Sequence, residues 1–332
     1  MSASARGPVS QPTLVTVGQD VPNSSLYAEA VGDLARWRGI HAVMVTPFQA
    51  DLSVDEGGLR SNVSFLSESP VDAIICLGSE GEFYALTDDE RRRVAEITAD
   101  ALGARRPLVI GVSHPSGLQA LALAKHAASI GADAVLATPP YFGQPPLAEV
   151  RTHFAMIAEA GLPVFLYNTP SRVGYGLSPS DITTIVDVPG VIGVKQAAPD
   201  IAELVELVTT VDGSRCLVIG GAEATIWPAL TVGAVGNTAT AASAIPGAFA
   251  RLWELAQEGH LSEGRDLYGL LAPLREAYVV AGGQAPVVKR LMDRAGLCGG
   301  ALRPPARAAG EAVDTLLESL VASLAAEGLW MS

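Results

Sequence analysis

Lysine is scarce in this chain. Of 22 basic residues only Lys125, Lys195 and Lys289 are amines, and the others are arginine. Positive charge is short altogether, leaving a formal net charge of −13, which excludes the basic footprint that nucleic acid requires. It does not exclude a small anionic substrate, because a site can be locally positive inside an acidic shell. Cysteine is also rare. Cys76, Cys216 and Cys298 are odd in number, far apart and set among apolar residues, so small buried thiols in a reducing cytoplasm are expected rather than a disulfide framework. The five histidines are scattered, and no Cys/His cluster has zinc-ligand spacing. No Gly-x-x-x-x-Gly-Lys-Ser/Thr phosphate loop occurs. Neither a metal nor another cofactor is expected. Long apolar runs are missing too, with no stretch of 18 or more to span a membrane.

What is present is a regular alternation. Residues 1–25 are rich in Ser, Pro, Gln and Val, without the charged-then-apolar layout of a secretory signal. Residues 1–36 are expected to form a mobile extension, with order beginning over residues 26–37. From about residue 40, short apolar runs at 41–47, 73–78, 107–113, 134–138, 163–168, 191–197, 216–220 and 234–238 read as strands. Amphipathic stretches separate them, among them 88–102 with Thr87 as N-cap and Glu90 at the capping-box position. Continuous hydrophobicity in the strands fits a parallel sheet covered by helices, and eight such units in about 200 residues point to a (β/α)8 barrel. The barrel is placed at residues 37–250. No strand pattern follows residue 241; 245–258, 262–280, 285–295 and 308–326 all read as helices, giving a small C-terminal helical bundle over 251–332.

Lys195 stands out against this frame. Lys125 and Lys289 lie in helix-like stretches with polar neighbours, Lys289 reading as helix surface or as a contact between barrel and bundle. Lys195 sits in the β-branched run 191–197, where an ammonium is costly to desolvate. Such burial lowers a lysine's pKa, and the free amine is a nucleophile able to form a Schiff base with a carbonyl. The bland alternatives are a head group that reaches solvent from the strand end, or one paired with a carboxylate. In a barrel of this kind chemistry gathers where strands end and loops begin. There lie Gly78-Ser79-Glu80-Gly81-Glu82, Tyr141-Phe142 and Tyr167-Asn168-Thr169-Pro170-Ser171-Arg172. Gly220-Gly221 and Gly236-Asn237, near the ends of the last two strands, are expected to let the backbone approach a ligand closely. Asp88-Asp89-Glu90 followed by Arg91-Arg92-Arg93 reads as a helix with charges matched to its dipole.

Taken together, Val45-Thr46-Pro47-Phe48, Gly78-x-x-Gly81-Glu82, Tyr167-Asn168-x-Pro170, Gly193-Val194-Lys195 and Pro286-Val287-Val288-Lys289 resemble the dihydrodipicolinate synthase / N-acetylneuraminate lyase family of Schiff-base aldolases and dehydratases. The resemblance spans roughly residues 37–305. It implies a metal-independent lyase in which Lys195 attacks the ketone of pyruvate or another 2-oxo acid and Tyr167 shuttles protons. Ser79 falls where the family places a hydroxyl that contacts this tyrosine, and the Ser79–Glu80 amides would hold the substrate carboxylate. Arg172 is implied to meet the carboxylate of a second substrate, aspartate semialdehyde, as in the synthases. A homotetramer built as a dimer of dimers is implied as well.

Two residues depart from the family pattern. Glu80 replaces a small hydroxyl that helps bind the 2-oxo acid, so it must turn away, pair with Arg172 or carry a proton. Phe142 stands where the synthases carry a tyrosine lent across a subunit interface, and it cannot relay a proton. Tyr141 beside it is expected, by strand-end alternation, to point elsewhere. The leading reading is therefore a dihydrodipicolinate synthase-like condensation. An aldolase or dehydratase acting on a 2-keto-3-deoxy sugar acid or other hydroxylated 2-oxo acid is the runner-up. A non-catalytic 2-oxo acid sensor is the third, and exchange of pyruvate methyl protons would tell it from an enzyme.

Overall fold

The structure is a computed structural model that describes residues 33–330. The expectation for residues 1–32 lies outside the described residues. Eight parallel strands close into a barrel in sequence order, with the last paired to the first. They are β1 (Gly39–Val43), β2 (Ala73–Cys76), β3 (Leu108–Gly111), β4 (Ala134–Ala137), β5 (Val164–Asn168), β6 (Val191–Gln196), β7 (Leu217–Gly220) and β8 (Gly236–Ala239). Around them run α1 (Glu56–Glu68), α2 (Asp88–Leu102), α3 (Gly117–Ser129), α4 (Leu147–Ala158), α5 (Pro179–Val186), α6 (Ile201–Thr210), α7 (Ile226–Thr231) and α8 (Pro246–Glu258). The expected (β/α)8 architecture is therefore present, and every strand is buried along its whole length.

The chain outside the barrel differs in one respect from its sequence pattern. The single helix expected over 262–280 is two, α9 (Leu261–Leu270) and α10 (Ala272–Ala281), followed by α11 (Ala285–Arg294) and α12 (Glu311–Ala326). Pro273 at the start of α10 explains the break. It has no N–H to donate to the preceding turn, and its ring crowds the carbonyl four residues back. Among the described residues no helix is long and apolar enough to cross a membrane.

Inside the barrel, Trp37, Ile75, Val109, Leu136, Phe165, Ile192, Leu217 and Ile219 form one packed cluster. Trp37, from the 3₁₀ turn Leu34–Trp37, lies with its ring edge-on to Phe165 at 5.3 Å. The interior is thus filled with side chains.

Arg91 and Lys289 are both buried helix charges. The Thr87/Glu90 capping box forms as expected, yet Arg91 is buried, donating to the Ser113 carbonyl and covering the Phe83 ring. Lys289 on α11 is only 2 % exposed. Its Nζ lies 2.6 Å from Glu82 Oε1, donates to the Ala301 carbonyl and sits over the Phe48 ring. Of its two expected roles, the contact between barrel and bundle is the one realised. Burial pushes the Lys289 pKa down, and Glu82 pulls it back up.

Glu82 has no solvent to fall back on, so removing its partner leaves an uncompensated charge. Lys289→Met should lower the unfolding free energy by about 3–5 kcal/mol, and adding Glu82→Gln should recover part of that loss. Urea denaturation measures both; a change within about 0.5 kcal/mol for Lys289→Met would mean the pair stabilises nothing.

Candidate active site

The site begins with strand register. Tyr167 of β5 and Lys195 of β6 are direct cross-strand partners, so their side chains share the inner face. The register shifts by one residue between Val164 and Phe165. Gly193 absorbs that irregularity: a Cβ there would lie 2.5 Å from the Phe165 ring. Lys195 is 5 % exposed and Tyr167 7 %, with the lysine Nζ 4.2 Å from the centre of the tyrosine ring. Among the described residues no carboxylate lies within ion-pair distance of Lys195. The head group is neither solvated at a strand end nor paired.

Ser79 and Glu80 come from the loop after β2, where Ser79–Gly81 forms a 3₁₀ turn. As the first residues of a helical turn, their N–H groups lack intrahelical acceptors and face outward. Ser79 lines the same cavity as Lys195 and Tyr167, although its hydroxyl makes no hydrogen bond to Tyr167. Glu80 has taken one of the routes open to it. Arg172 Nη2 donates to its Oε1 at 2.6 Å, and the Ala285 N–H donates to its Oε2 at 2.9 Å. Arg172 is carried on the one-turn helix Pro170–Val173 after β5.

Two expected ligand-binding residues, Gly220 and Asn237, sit elsewhere. Phe142, whose expected place is beside a neighbouring subunit's site, is 90 % exposed and lines neither cleft beside Lys195 of its own chain. Its neighbour Tyr141 lines the outer cleft instead. Strand alternation does not extend to either residue, because β4 ends at Ala137 and the chain beyond it is loop. Gly220 and Asn237 pack against each other between β7 and β8: a Cβ on Gly220 would lie 1.9 Å from Asn237 Oδ1. Asn237 is fully buried and donates to the Thr238 carbonyl. The residues that face the cavity are their neighbours, Gly221 and Thr238.

Sequence reasoning missed Glu223, Thr240 and Gln284, all of which line the Lys195 cavity. Glu223 follows β7 and is held by three donors: Thr240 N–H at 2.5 Å, Ala241 N–H at 2.9 Å, and the Tyr278 hydroxyl at 2.6 Å. Burial raises its pKa and the three hydrogen bonds oppose the rise. The strand-end rule applied to Gly220-Gly221-Ala222-Glu223 was a usable signal for it. Gln284 had none, since it arrives from the turn between α10 and α11, far from any strand end.

The cavity beside Lys195 has a volume of about 20 Å³, room for a water molecule. It adjoins an outer cleft of about 300 Å³ through Ser79, which lines both. Below Lys195, on β1, His41 Nε2 donates a 2.9 Å hydrogen bond to the Trp37 carbonyl. Burial, aided by the positive charge of Lys195, holds its pKa at about 4 instead of 6.5, against the pull of that hydrogen bond.

The imidazole is therefore neutral when folded, while the unfolded chain binds a proton below pH 6.5. More protons on the unfolded state mean that stability falls as pH drops from 6.5 toward 4, and that nothing is lost above 6.5. Replacing His41 by Gln should flatten the stability–pH profile in that window by up to about 1.4 kcal/mol per unit. Asp72 and Glu223, whose raised pKa values act with the opposite sign, are common to both proteins and cancel in the difference. Identical profiles for the two proteins would contradict a buried neutral His41.

Comparison with known proteins agrees with this geometry. A model of the Dihydrodipicolinate synthetase family matches residues 36–324. The 4-hydroxy-tetrahydrodipicolinate synthase of Methanopyrus kandleri is 34% identical over 282 residues, covering 84% of this chain and 93% of that one. Among solved structures, the 4-hydroxy-tetrahydrodipicolinate synthase of the methanotroph Methylacidiphilum fumariolicum SolV superposes with a TM-score of 0.83 at 29% identity, covering 88% of this chain and 99% of that one. A monomeric dihydrodipicolinate synthase variant superposes with a TM-score of 0.80 at 28% identity, covering 90% and 99%.

Proposed function

The chain belongs to the dihydrodipicolinate synthetase family, and from that premise we propose that Lys195 is the imine-forming residue of a class I lyase acting on pyruvate or a related 2-oxo acid. The observation that carries the assignment is a buried amine against the Tyr167 ring with no acidic partner. Its nitrogen attacks the ketone carbon, the carbinolamine loses water, and the imine draws electrons from the neighbouring carbon. Loss of a proton there gives an enamine, which attacks an aldehyde; hydrolysis then returns the amine. Tyr167 is the proton carrier, being the hydroxyl-bearing side chain nearest Lys195 on the adjoining strand. Ser79 and the outward N–H groups of its turn receive the 2-oxo acid carboxylate. The overall reaction follows the relatives named 4-hydroxy-tetrahydrodipicolinate synthase, a condensation with aspartate semialdehyde.

The cavity at Lys195 is too small for pyruvate as it stands, so binding requires one wall to move. Glu80 and Gln284 are the candidates, as long side chains on loops. Buried Cys76 and Cys216, both free, support a reducing cytoplasm. Phe142 and Tyr84, exposed at 90 % and 54 %, support a homo-oligomer that covers them; light scattering should then return a multiple of 34.3 kDa, and the monomer mass would refute it.

Incubation with pyruvate followed by borohydride should leave an adduct that mass spectrometry maps to Lys195, absent in Lys195→Ala. Tyr167→Phe should slow turnover about 10²- to 10⁴-fold while still allowing the adduct to accumulate. An adduct on another residue, or none with any 2-oxo acid, would overturn the assignment.

A further inference from the structure

Tyr278 has no part in the chemistry above, yet its hydroxyl ends at the wall of the Lys195 cavity. It stands on α10, outside the barrel, and donates at 2.6 Å to Oε2 of Glu223 in the loop after β7. Oε1 of the same carboxylate takes both backbone bonds, from the Thr240 and Ala241 N–H groups that follow β8. All three partners are donors, the pattern of an ionised carboxylate. One oxygen is thus fixed by the barrel, and the other by a single phenol from the C-terminal helices. Burial, together with the charges of Glu223 and Glu80, pushes the Tyr278 pKa well above its ordinary value, so the phenol keeps the proton it donates.

That carboxylate shares a small space with the amine. Glu223 is 4 % exposed and, with Lys195, lines the cavity of about 20 Å³, in which Lys195 is the one cation. An ammonium and a carboxylate facing one enclosed cavity attract strongly. No ion pair joins them among the described residues. The other titratable groups facing the amine are committed: Glu80 from the β2 loop to Arg172 and the Ala285 N–H, Tyr167 on β5 through its ring face, and His41 on β1, neutral above about pH 4. Glu223 itself faces Tyr278 directly and feels the charge of Glu80. Without the Tyr278 bond its Oε2 would be buried with no donor, a costly state. Pivoting about the backbone-held Oε1 toward Lys195 relieves it.

We propose that Tyr278 is a positioning residue of the Lys195 site: it holds Glu223 against the end of β8 and so keeps the amine free of a carboxylate partner. The inference rests on the imine reading for what the free amine does, and adds which residue keeps it free. Attack on a ketone requires the ammonium to release one proton to water, after which the nitrogen supplies the electron pair of the new C–N bond. A carboxylate at contact distance favours the protonated form and opposes that release. Tyr278 touches neither substrate nor reacting atoms and acts through Glu223 alone. Its carbonyl also accepts the Gly283 N–H at 3.0 Å, which ties the same residue to the turn carrying Gln284 into the cavity wall.

Labelling of the full-length protein with acetic anhydride over a pH series, read at Lys195 by mass spectrometry, reports where that amine loses its proton. Tyr278→Phe keeps the ring packed against the core and removes only the hydroxyl. It should raise the pH of half-maximal labelling at Lys195 by about 1–3 units, the effect of an opposite charge at contact distance. At a fixed pH below the midpoint that is a rate lower by about 10- to 1,000-fold. A loss of packing alone would change the rate and leave the midpoint in place. Adding Glu223→Gln should return the midpoint to the wild-type value or below it. An unmoved midpoint in Tyr278→Phe overturns the proposal, and so does a rise that persists once Glu223→Gln is added. Trapping with pyruvate and cyanoborohydride over the same pH series should follow the labelling midpoints. Labelling that shifts as stated in a protein that forms no pyruvate adduct upholds the role of Tyr278 and removes the imine reading alone.

Discussion

A primary amine held out of water without a counter-charge is the constraint on which this molecule turns. Of the three buried side chains that end in a lysine or arginine cation among the described residues, Lys289 is paired with Glu82, and Arg91 lies 3.7 Å from Asp88 and donates to the Ser113 carbonyl. Lys195 alone has only an aromatic face. Leaving a cation in that state is costly, and the fold supports it with a barrel interior packed solid beneath it. Trp37 and Phe165 fill the floor, and His41 stays neutral there. The amine is thereby confined to the one end of the barrel that opens.

Two acidic residues line the cavity of this amine, and each is engaged elsewhere. Glu80 faces Arg172 and the start of α11, and Glu223 faces two backbone N–H groups and Tyr278. Two of these attachments end in the segments after the barrel: Ala285 on α11 and Tyr278 on α10. The C-terminal helices therefore do more than cover apolar surface. They draw the carboxylates away from Lys195, so that the site presents an amine, a phenol and hydroxyls to a 2-oxo acid. Gln284, from the turn between those helices, completes the wall.

The barrel was legible because each strand is a short, continuous apolar run and each helix between them is amphipathic; those periodicities are local properties of the chain. Lys195 and Tyr167 were legible for the related reason that a polar side chain at the end of an apolar strand is conspicuous. The failures are non-local. Arg91 looks like an ordinary helix charge until the Phe83 ring and the Ser113 carbonyl, from two separate loops, are brought over it. Gly220 and Asn237 read as ligand-facing because glycine and asparagine commonly are, while their mutual packing depends on the register of two strands. Tyr141 is expected to point away from the site by an alternation that stops at Ala137, where the strand itself stops. Glu80 was the informative intermediate case: its identity raised the question, and only the position of Arg172 and Ala285 answered it.

The account stands on formation of an imine and then an enamine at Lys195, and proton NMR of pyruvate in deuterated water observes both at once. Wild-type protein should exchange the methyl protons of pyruvate for deuterium with no aldehyde present, and Lys195→Ala should leave them at the uncatalysed rate. Exchange that persists in Lys195→Ala, or none in the wild type, would contradict the account.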